Sequence, residues 1–217
     1  MAAQRVLLIH GAATTAEIWS GVRALLPPDV EVLAPQRAYS GDLRTELDAL
    51  ADPAEGAVVL GVSGGATLGL ALVAAGVPVA GAVLHEPAVG SLVPGLLAQV
   101  AEGYAAHGVA GFGAALYGAG WNPAMAPADP DAVRRDFAMF RAFEPVPLPA
   151  PAANVLTTVG ALSPPARRTA ARALRDRLGL PYRVLDGCAH AAHLECPQTL
   201  AALVREAAAR DLPYRTA

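Results

Sequence analysis

The apolar positions of this chain form short continuous runs, and longer segments with helical periodicity lie between them. Six runs carry at most one charge each and predict buried strands, at residues 6–9, 30–34, 57–60, 79–84, 155–160 and 182–185. Several of the intervening segments repeat leucine or valine every three to four residues, as one face of a helix does. Alternating strands and helices are typical of a parallel sheet with helices on both faces. We therefore predict a single α/β domain over residues 1–217.

The pattern changes between residues 89 and 151, where no strong strand is predicted. Helices are expected at residues 92–104, 109–117 and 131–143, and a proline-rich stretch at 145–151 returns the chain to the sheet. We interpret this segment, about 89–151, as a small helical lid inserted into the domain. Its large side chains can line an apolar substrate pocket or simply pack the lid on the body. The pocket candidates are Trp121, Phe112, Phe137 and Phe140.

The sequence Gly61-Val62-Ser63-Gly64-Gly65 follows a predicted buried strand and begins a predicted helix. A serine on so tight a turn has strained backbone angles, and its neighbours pass too close together to leave room for a Cβ. Glycines two residues before and after Ser63 meet that requirement. The context predicts a nucleophile, with a glycine-rich packing turn as the alternative interpretation. Ligands of parallel sheets bind at the carboxyl ends of the strands, where His10 and Glu86 are also expected.

Composition excludes several kinds of chemistry and partner. All sixteen basic residues are arginine, so neither a Schiff-base lysine nor the lysine of a phosphate-binding loop exists. A net charge of -3 predicts no binding to nucleic acid or to an anionic membrane. Cys188 and Cys196 flank two histidines, but their spacing is not that of a zinc site, and a core of this size needs no disulfide. We expect no metal and no cofactor.

The stretch from residue 56 to residue 84 has no charge and is long enough to resemble a membrane span. The glycine-flanked Ser63 and the break at Gly76-Val77-Pro78 divide it into strand, helix and strand, which favours a buried sheet unit. The apolar run at residues 6–9 is too short for a signal peptide. We expect a cytoplasmic protein with a small-molecule substrate, whose oligomeric state remains open.

Taken together, the strand ending in His10-Gly11, the turn at Ser63 and a late histidine after the last strand resemble the α/β-hydrolase superfamily. The resemblance covers essentially the whole chain. It implies that Ser63 is the nucleophile and that His190 is the base, with His193 as the weaker candidate. It also implies that the backbone N–H groups of Ala12 and Gly64 form the oxyanion hole, whereas His10 is structural.

The family usually places its catalytic acid a few residues after the strand predicted at 155–160. Here that turn reads Gly160-Ala161-Leu162-Ser163 and contains no carboxylate. A minority of relatives carry the acid one strand earlier, at the position of Glu86. One helix and one strand separate Glu86 from Ser63, so their strand ends are expected to be neighbours. Glu144, Asp186 or a dyad without an acid are the alternatives.

The resemblance implies a serine hydrolase that cleaves an ester or thioester through an acyl-enzyme on Ser63. The apolar character of the lid favours a small, hydrophobic substrate. Two other functions stay open at this point. A lyase, isomerase or cyclase without a cofactor could use Ser63 and His190 as an acid–base pair, and the absent acid favours this alternative. A binding protein without catalytic activity is the third.

Overall fold

A six-stranded sheet forms the centre of the protein. The computed structural model describes residues 4–149 and 154–209. All neighbouring strands are parallel, in the order β2-β1-β3-β4-β5-β6. The predicted α/β fold is confirmed, and each predicted strand is present with small shifts at its ends. The strands are β1 (Arg5–Ile9), β2 (Glu31–Leu33), β3 (Val58–Val62), β4 (Gly81–His85), β5 (Val155–Gly160) and β6 (Tyr182–Leu185).

Helices cover both faces of the sheet and bury two apolar clusters. Successive side chains of a strand point to opposite faces, so Leu7 and Ile9 belong to one cluster and Val6 and Leu8 to the other. Among the described residues, none of the helices combines the length and apolar content that crossing a bilayer requires. The helices are α1 (Ser20–Arg23), α2 (Leu43–Ala54), α3 (Gly64–Ala74), α4 (Ala98–Tyr117), α5 (Ala132–Ala142), α6 (Pro165–Leu178), α7 (Ala192–Glu195) and α8 (Pro197–Ala208).

The segment between β4 and β5 contains α4 and α5, and we call it the lid. The helices predicted at 92–104 and 109–117 are joined into α4, which begins only at Ala98. The chain bends within α4 at His107 and Gly108, where Gly108 has a φ of +58° that a residue with a Cβ rarely adopts. Residues 145–149 have no regular structure, and the end of the lid predicted at residue 151 lies outside the described residues.

A buried group of charges joins the lid to the sheet domain. Arg37 follows β2, and its Nη1 and Nη2 donate hydrogen bonds of 3.0 and 2.7 Å to the carboxylate of Asp136 on α5. Its Nε donates to Glu46 on α2 at 3.2 Å. All three side chains are at most 2% exposed. We call these residues the Arg37 cluster, and because they are paired inside the protein they hold α5 in a defined position.

Candidate active site

Ser63 lies on the turn between β3 and α3, and its backbone is strained. Its φ of 58° and ψ of -122° are unusual for a residue with a side chain. A Cβ at Gly61 would collide with the backbone of Gly65, and a Cβ at Gly65 would collide with the carbonyl of Ile9. The two glycines therefore allow β1, β3 and α3 to approach closely enough to present the serine at the carboxyl edge of the sheet.

Four consecutive carbonyl groups of the loop after β1 are each bound by a side chain. Arg37 donates to the carbonyls of residues 10 and 11 at 3.4 Å, and the carbonyl of residue 11 also accepts from Thr14 at 3.1 Å. Tyr117 of α4 donates to the carbonyl of Ala12, and Trp121 donates its indole N–H to the carbonyl of residue 13, each at 2.8 Å. The loop conformation is thus fixed from several directions.

The carbonyl groups of the loop are bound by side chains, and a backbone N–H group of the same loop is available to bind a ligand. Within the described part of the chain, the N–H of Ala12 makes no hydrogen bond. Gly64 is the first residue of α3, so its N–H has no partner within the helix and lies at the positive end of the helix dipole. Ala12, Gly64 and Ser63 line one small cavity together. The two predicted oxyanion-hole residues therefore lie beside the predicted nucleophile.

The His10 imidazole is held within the same loop. Its Nδ1 bonds the carbonyl of Gly11 at 3.1 Å, and its Nε2 accepts from the backbone N–H of Arg37 at 3.3 Å. Burial, assisted by the Arg37 charge, lowers the pKa of His10 to about 3. The ring is neutral and has both nitrogens occupied, as a structural role requires.

The structure brings Glu86 and His190 into direct contact. Val62 pairs with His85 in the sheet, so Ser63 and Glu86 are the next residues on two adjacent strands. Glu86 has a φ of +50°, which marks a sharp turn of the chain at the end of β4. Its Oε2 accepts a hydrogen bond of 2.7 Å from Nδ1 of His190. This bond defines the tautomer in which Nε2 carries no proton and can accept one.

The turn that usually carries the acid instead binds the Glu86 carboxylate. The backbone N–H of Gly160 donates to Oε1 of Glu86 at 2.9 Å, and the hydroxyl of Ser163 donates to the same oxygen at 2.5 Å. On Oε2, the Nε of Arg167 lies 3.5 Å away. A carboxylate from the neighbouring strand therefore occupies the turn that lacks a carboxylate of its own.

Electrostatics keep the acid ionised and the imidazole neutral. Burial disfavours the charge of Glu86, but the hydrogen bond with His190 and the nearby His85 and Arg167 outweigh it and lower the pKa of Glu86. Burial lowers the pKa of His190 to about 4, the Arg167 charge acts in the same direction, and the Glu86 contact opposes both. At neutral pH the pair is a carboxylate and a neutral imidazole, which is the state of a base ready to accept a proton.

His190 has no bond to Ser63 in this arrangement of the lid. Its Nε2 is buried and lacks a hydrogen-bond partner among the described residues. The ring of Tyr117 lies over it, with centroids 5.7 Å apart. The Tyr117 hydroxyl and Cβ of Ser63 both lie next to Gly11. A Cβ placed on Gly11 would be 2.7 Å from the hydroxyl and 3.1 Å from Cβ of Ser63, so the tyrosine hydroxyl is close to the serine. Burial raises the pKa of Tyr117, which keeps the hydroxyl protonated.

Among the described residues, Ser63 lines one cavity next to the lid and His190 lines another. The serine cavity, lined by Ser63, has a volume of about 20 Å³, and the histidine cavity, lined by His190 and Tyr117, has about 470 Å³. The serine cavity has room for one water molecule, so an acyl group reaches Ser63 only when lid side chains move. The large apolar side chains of its wall all come from the lid and are Leu97, Val100, Phe112, Leu116, Phe137 and Phe140.

Three of the four predicted pocket residues thus line the serine cavity, and Trp121 does not. Its ring packs on α4 at Gly113, where a Cβ would collide with it, and its indole N–H is used by the loop after β1. Because both its ring and its N–H are occupied elsewhere, Trp121 supports the loop from outside the cavity.

The weaker candidates for the acid and the base lie elsewhere. The carboxylate of Glu144 is bound by the backbone N–H and hydroxyl of Ser91. Asp186 is exposed and has no contact with His190. His193 is buried between Trp19 and Tyr117, with ring centroids 5.5 and 5.9 Å away. Within the described residues, no group of three or more metal-binding side chains has the arrangement of a metal site.

Sequence reasoning missed Tyr117, Ser163 and Arg167. Arg167 is one of five arginines on α6, but only 8% of this residue is exposed. Arg167 precedes the buried residues 170, 171 and 174 by three, four and seven positions, a spacing that places it on the apolar face of the helix. That signal was present in the sequence. Tyr117 and Ser163 carry no comparable signal, because their positions depend on how the lid and the turn are folded.

Comparisons with known proteins show the family and the fold of the chain. A family model described as the alpha/beta hydrolase family matches residues 6–203. A lipase-esterase related protein from Clostridium acetobutylicum has a similar structure, with a TM-score of 0.72, 12% identity and 94% of each chain covered. A search of curated proteins finds no significant match to the sequence.

Two further solved structures are similar over most of their length. The thioesterase RedJ from the prodiginine pathway of Streptomyces coelicolor has a TM-score of 0.67 and 18% identity, with 94% of this chain and 91% of that chain covered. The carboxylesterase CesB from Bacillus subtilis has a TM-score of 0.64 and 17% identity, with 94% and 83% covered. At these identities the likeness establishes a common fold.

Proposed function

Because the chain belongs to the alpha/beta hydrolase family, we propose that it hydrolyses an ester or thioester of a small, largely hydrophobic molecule through an acyl-enzyme on Ser63. The observation that carries the proposal is the 2.7 Å bond from His190 to Glu86, beside a strained serine on the adjacent strand. The folds shared with a carboxylesterase and a thioesterase agree with this reaction class.

In the first half of the reaction, Ser63 attacks the carbonyl carbon of the substrate. Nε2 of His190 takes the proton of the hydroxyl, and Glu86 stabilises the imidazolium that forms. The negative charge that develops on the carbonyl oxygen is bound by the N–H groups of Ala12 and Gly64. His190 then gives its proton to the leaving alcohol or thiol, and the acyl group stays on Ser63.

In the second half, a water molecule replaces the leaving group. His190 accepts a proton from this water, which attacks the acyl carbon, and the proton then returns to the serine as the acid is released. The apolar side chains of the serine cavity fit a hydrophobic acyl or alcohol group.

A lyase, isomerase or cyclase reaction is the second candidate, and it loses its main support. It was favoured because the usual turn after β5 contains no acid. That turn binds the carboxylate of Glu86, which contacts His190. We therefore place hydrolysis first.

The test is to measure hydrolysis of short p-nitrophenyl esters and labelling by a fluorophosphonate in the purified protein. Ser63→Ala is expected to abolish both, because it removes the attacking oxygen. Ser20→Ala, at an exposed position, is the matched control and is expected to change neither. Ester hydrolysis that survives Ser63→Ala unchanged would refute the proposal.

A further inference from the structure

Arg167 is a buried arginine with an incomplete set of partners. Its side chain is 9% exposed, and its ion pair is with Glu86, from Nε to Oε2 at 3.5 Å. Within residues 4–149 and 154–209, its guanidinium forms no hydrogen bond. Guanidinium has five N–H donors, and a buried charge without matching acceptors is costly. The other buried arginine of the site region, Arg37, has both of its carboxylates in place.

The guanidinium is positioned between the serine cavity and the histidine cavity. Arg167, Val100 and Leu116 are the three residues that line both the serine cavity and the histidine cavity. A ligand that extends from Ser63 into the histidine cavity would therefore pass Arg167, the one arginine among the residues that line these two cavities.

During the proposed reaction, Arg167 shares its counterion Glu86 with a second cation. When His190 takes the serine proton it becomes a cation, and Glu86 is its direct partner at 2.7 Å. Arg167 then shares Glu86 with a closer cation. Tyr117 is neutral, and Glu195, at the edge of the histidine cavity, is exposed and accepts from a backbone N–H. The negative charge that develops on the carbonyl oxygen is bound by the N–H groups of Ala12 and Gly64, so a separate carboxylate on the substrate would give Arg167 a partner of its own.

We propose that Arg167 is a specificity-determining residue that binds a carboxylate of the substrate, a second group beside the ester or thioester that is cleaved. A planar carboxylate suits the forked donors of guanidinium. The preferred substrates are then monoesters or monothioesters of dicarboxylic acids, or esters whose alcohol part carries a carboxylate. This inference rests on the proposed hydrolase function.

The kinetic test compares matched pairs of esters that differ only in a carboxylate. One pair is p-nitrophenyl hexanoate and the p-nitrophenyl monoester of adipate, whose carboxylate is too far from the ester to cleave it rapidly, and the other pair places the carboxylate on the alcohol side. The wild-type protein is expected to have a kcat/KM at least 10-fold higher for the carboxylate member of one pair. In Arg167→Gln that kcat/KM should fall about 100-fold, which corresponds to about 2.7 kcal/mol, and the neutral ester should lose far less.

Two further variants separate recognition from general damage. Arg167→Lys keeps the charge without the forked donors and is expected to retain an intermediate preference. Arg168→Gln, on the exposed face of α6, is the matched control and should behave as wild type. An equal loss for both members of each pair would make Arg167 a residue that positions Glu86, and it would overturn the proposal. So would a wild-type protein with no preference in either pair.

A binding measurement keeps this inference separate from the proposed reaction. Butyrate is expected to raise the melting temperature of the wild-type protein more than the neutral butyramide does, and Arg167→Gln should remove the difference. If no ester is hydrolysed but butyrate still stabilises through Arg167, the hydrolase proposal fails and the carboxylate site stands. If butyrate stabilises the protein no more than butyramide does, the carboxylate site fails whatever the reaction is.

Discussion

The contact between Glu86 and His190 can be tested by one substitution, Glu86→Gln. The carboxylate accepts from Gly160 and Ser163 on Oε1 and from His190 on Oε2. An amide has one oxygen, so it cannot satisfy both sides. If its oxygen stays with Gly160 and Ser163, its NH₂ group faces Nδ1 of His190 and donates to it. The proton of the imidazole then moves to Nε2, the atom that must accept the serine proton.

The opposite orientation of the amide is also unfavourable. Its NH₂ group would then face the N–H of Gly160, which would lose its acceptor in a buried place at about 1–3 kcal/mol. We therefore expect the wrong tautomer of His190 to dominate. The loss of a correctly placed base in this way lowers kcat about 10⁴-fold, or about 5.4 kcal/mol in the barrier. KM should change by a few-fold at most.

The assay measures kcat and KM on p-nitrophenyl butyrate, and NMR of ¹⁵N-labelled imidazole reports which nitrogen of His190 carries the proton. Glu144→Gln is the matched control, since Glu144 was a candidate acid and lies bound to Ser91 at the surface. It should retain the wild-type rate. A Glu86→Gln protein that folds and has a kcat within about 10-fold of wild type would refute the tautomer argument.

Three further outcomes are expected. Because the pKa of His190 is lowered to about 4, kcat/KM should be flat from about pH 6 to 8 and fall as pH decreases through that pKa; a midpoint near 6.5 would contradict this. Ser163→Ala removes a hydrogen bond to the buried carboxylate of Glu86 and should lower kcat. Urea titrations should show that the free energy of unfolding falls by about 1.5–3 kcal/mol, and an unchanged free energy of unfolding would contradict the hydrogen bond. Asp136→Asn leaves the buried Arg37 partly unpaired and should lower the free energy of unfolding by about 3–5 kcal/mol. Asp131→Asn, in an exposed ion pair, should lower it by under about 1 kcal/mol. Equal losses in the two variants would refute the stabilising role of the buried ion pair.

Much of the sheet could be predicted from sequence because its signals are local. Buried parallel strands require continuous apolar runs, and the turn at Ser63 requires glycines at 61 and 65, so both are visible in the chain itself. The position of Glu86 beside Ser63 also follows from topology, because consecutive strands joined by one crossover are neighbours here.

The rest of the site depends on contacts between distant parts of the chain. Gly160 and Ser163 bind the carboxylate of Glu86, which is 74 and 77 residues away from them in sequence. No local sequence pattern predicts this contact. Trp121 was assigned to the pocket for its size, but size does not determine which way a lid side chain points. The charge of Arg167 favours solvent, whereas its helical spacing favours the buried face that it occupies.

The four bound carbonyls of the loop after β1 have a consequence for the timing of catalysis. Two of their partners, Tyr117 and Trp121, come from the lid, and the other two, Arg37 and Thr14, come from the sheet domain. If the lid opens to admit substrate, it withdraws two of the five side-chain hydrogen bonds that fix these carbonyls. We therefore expect the proposed oxyanion hole to be fully ordered only while the lid is closed, so that the reactive state forms when substrate binds.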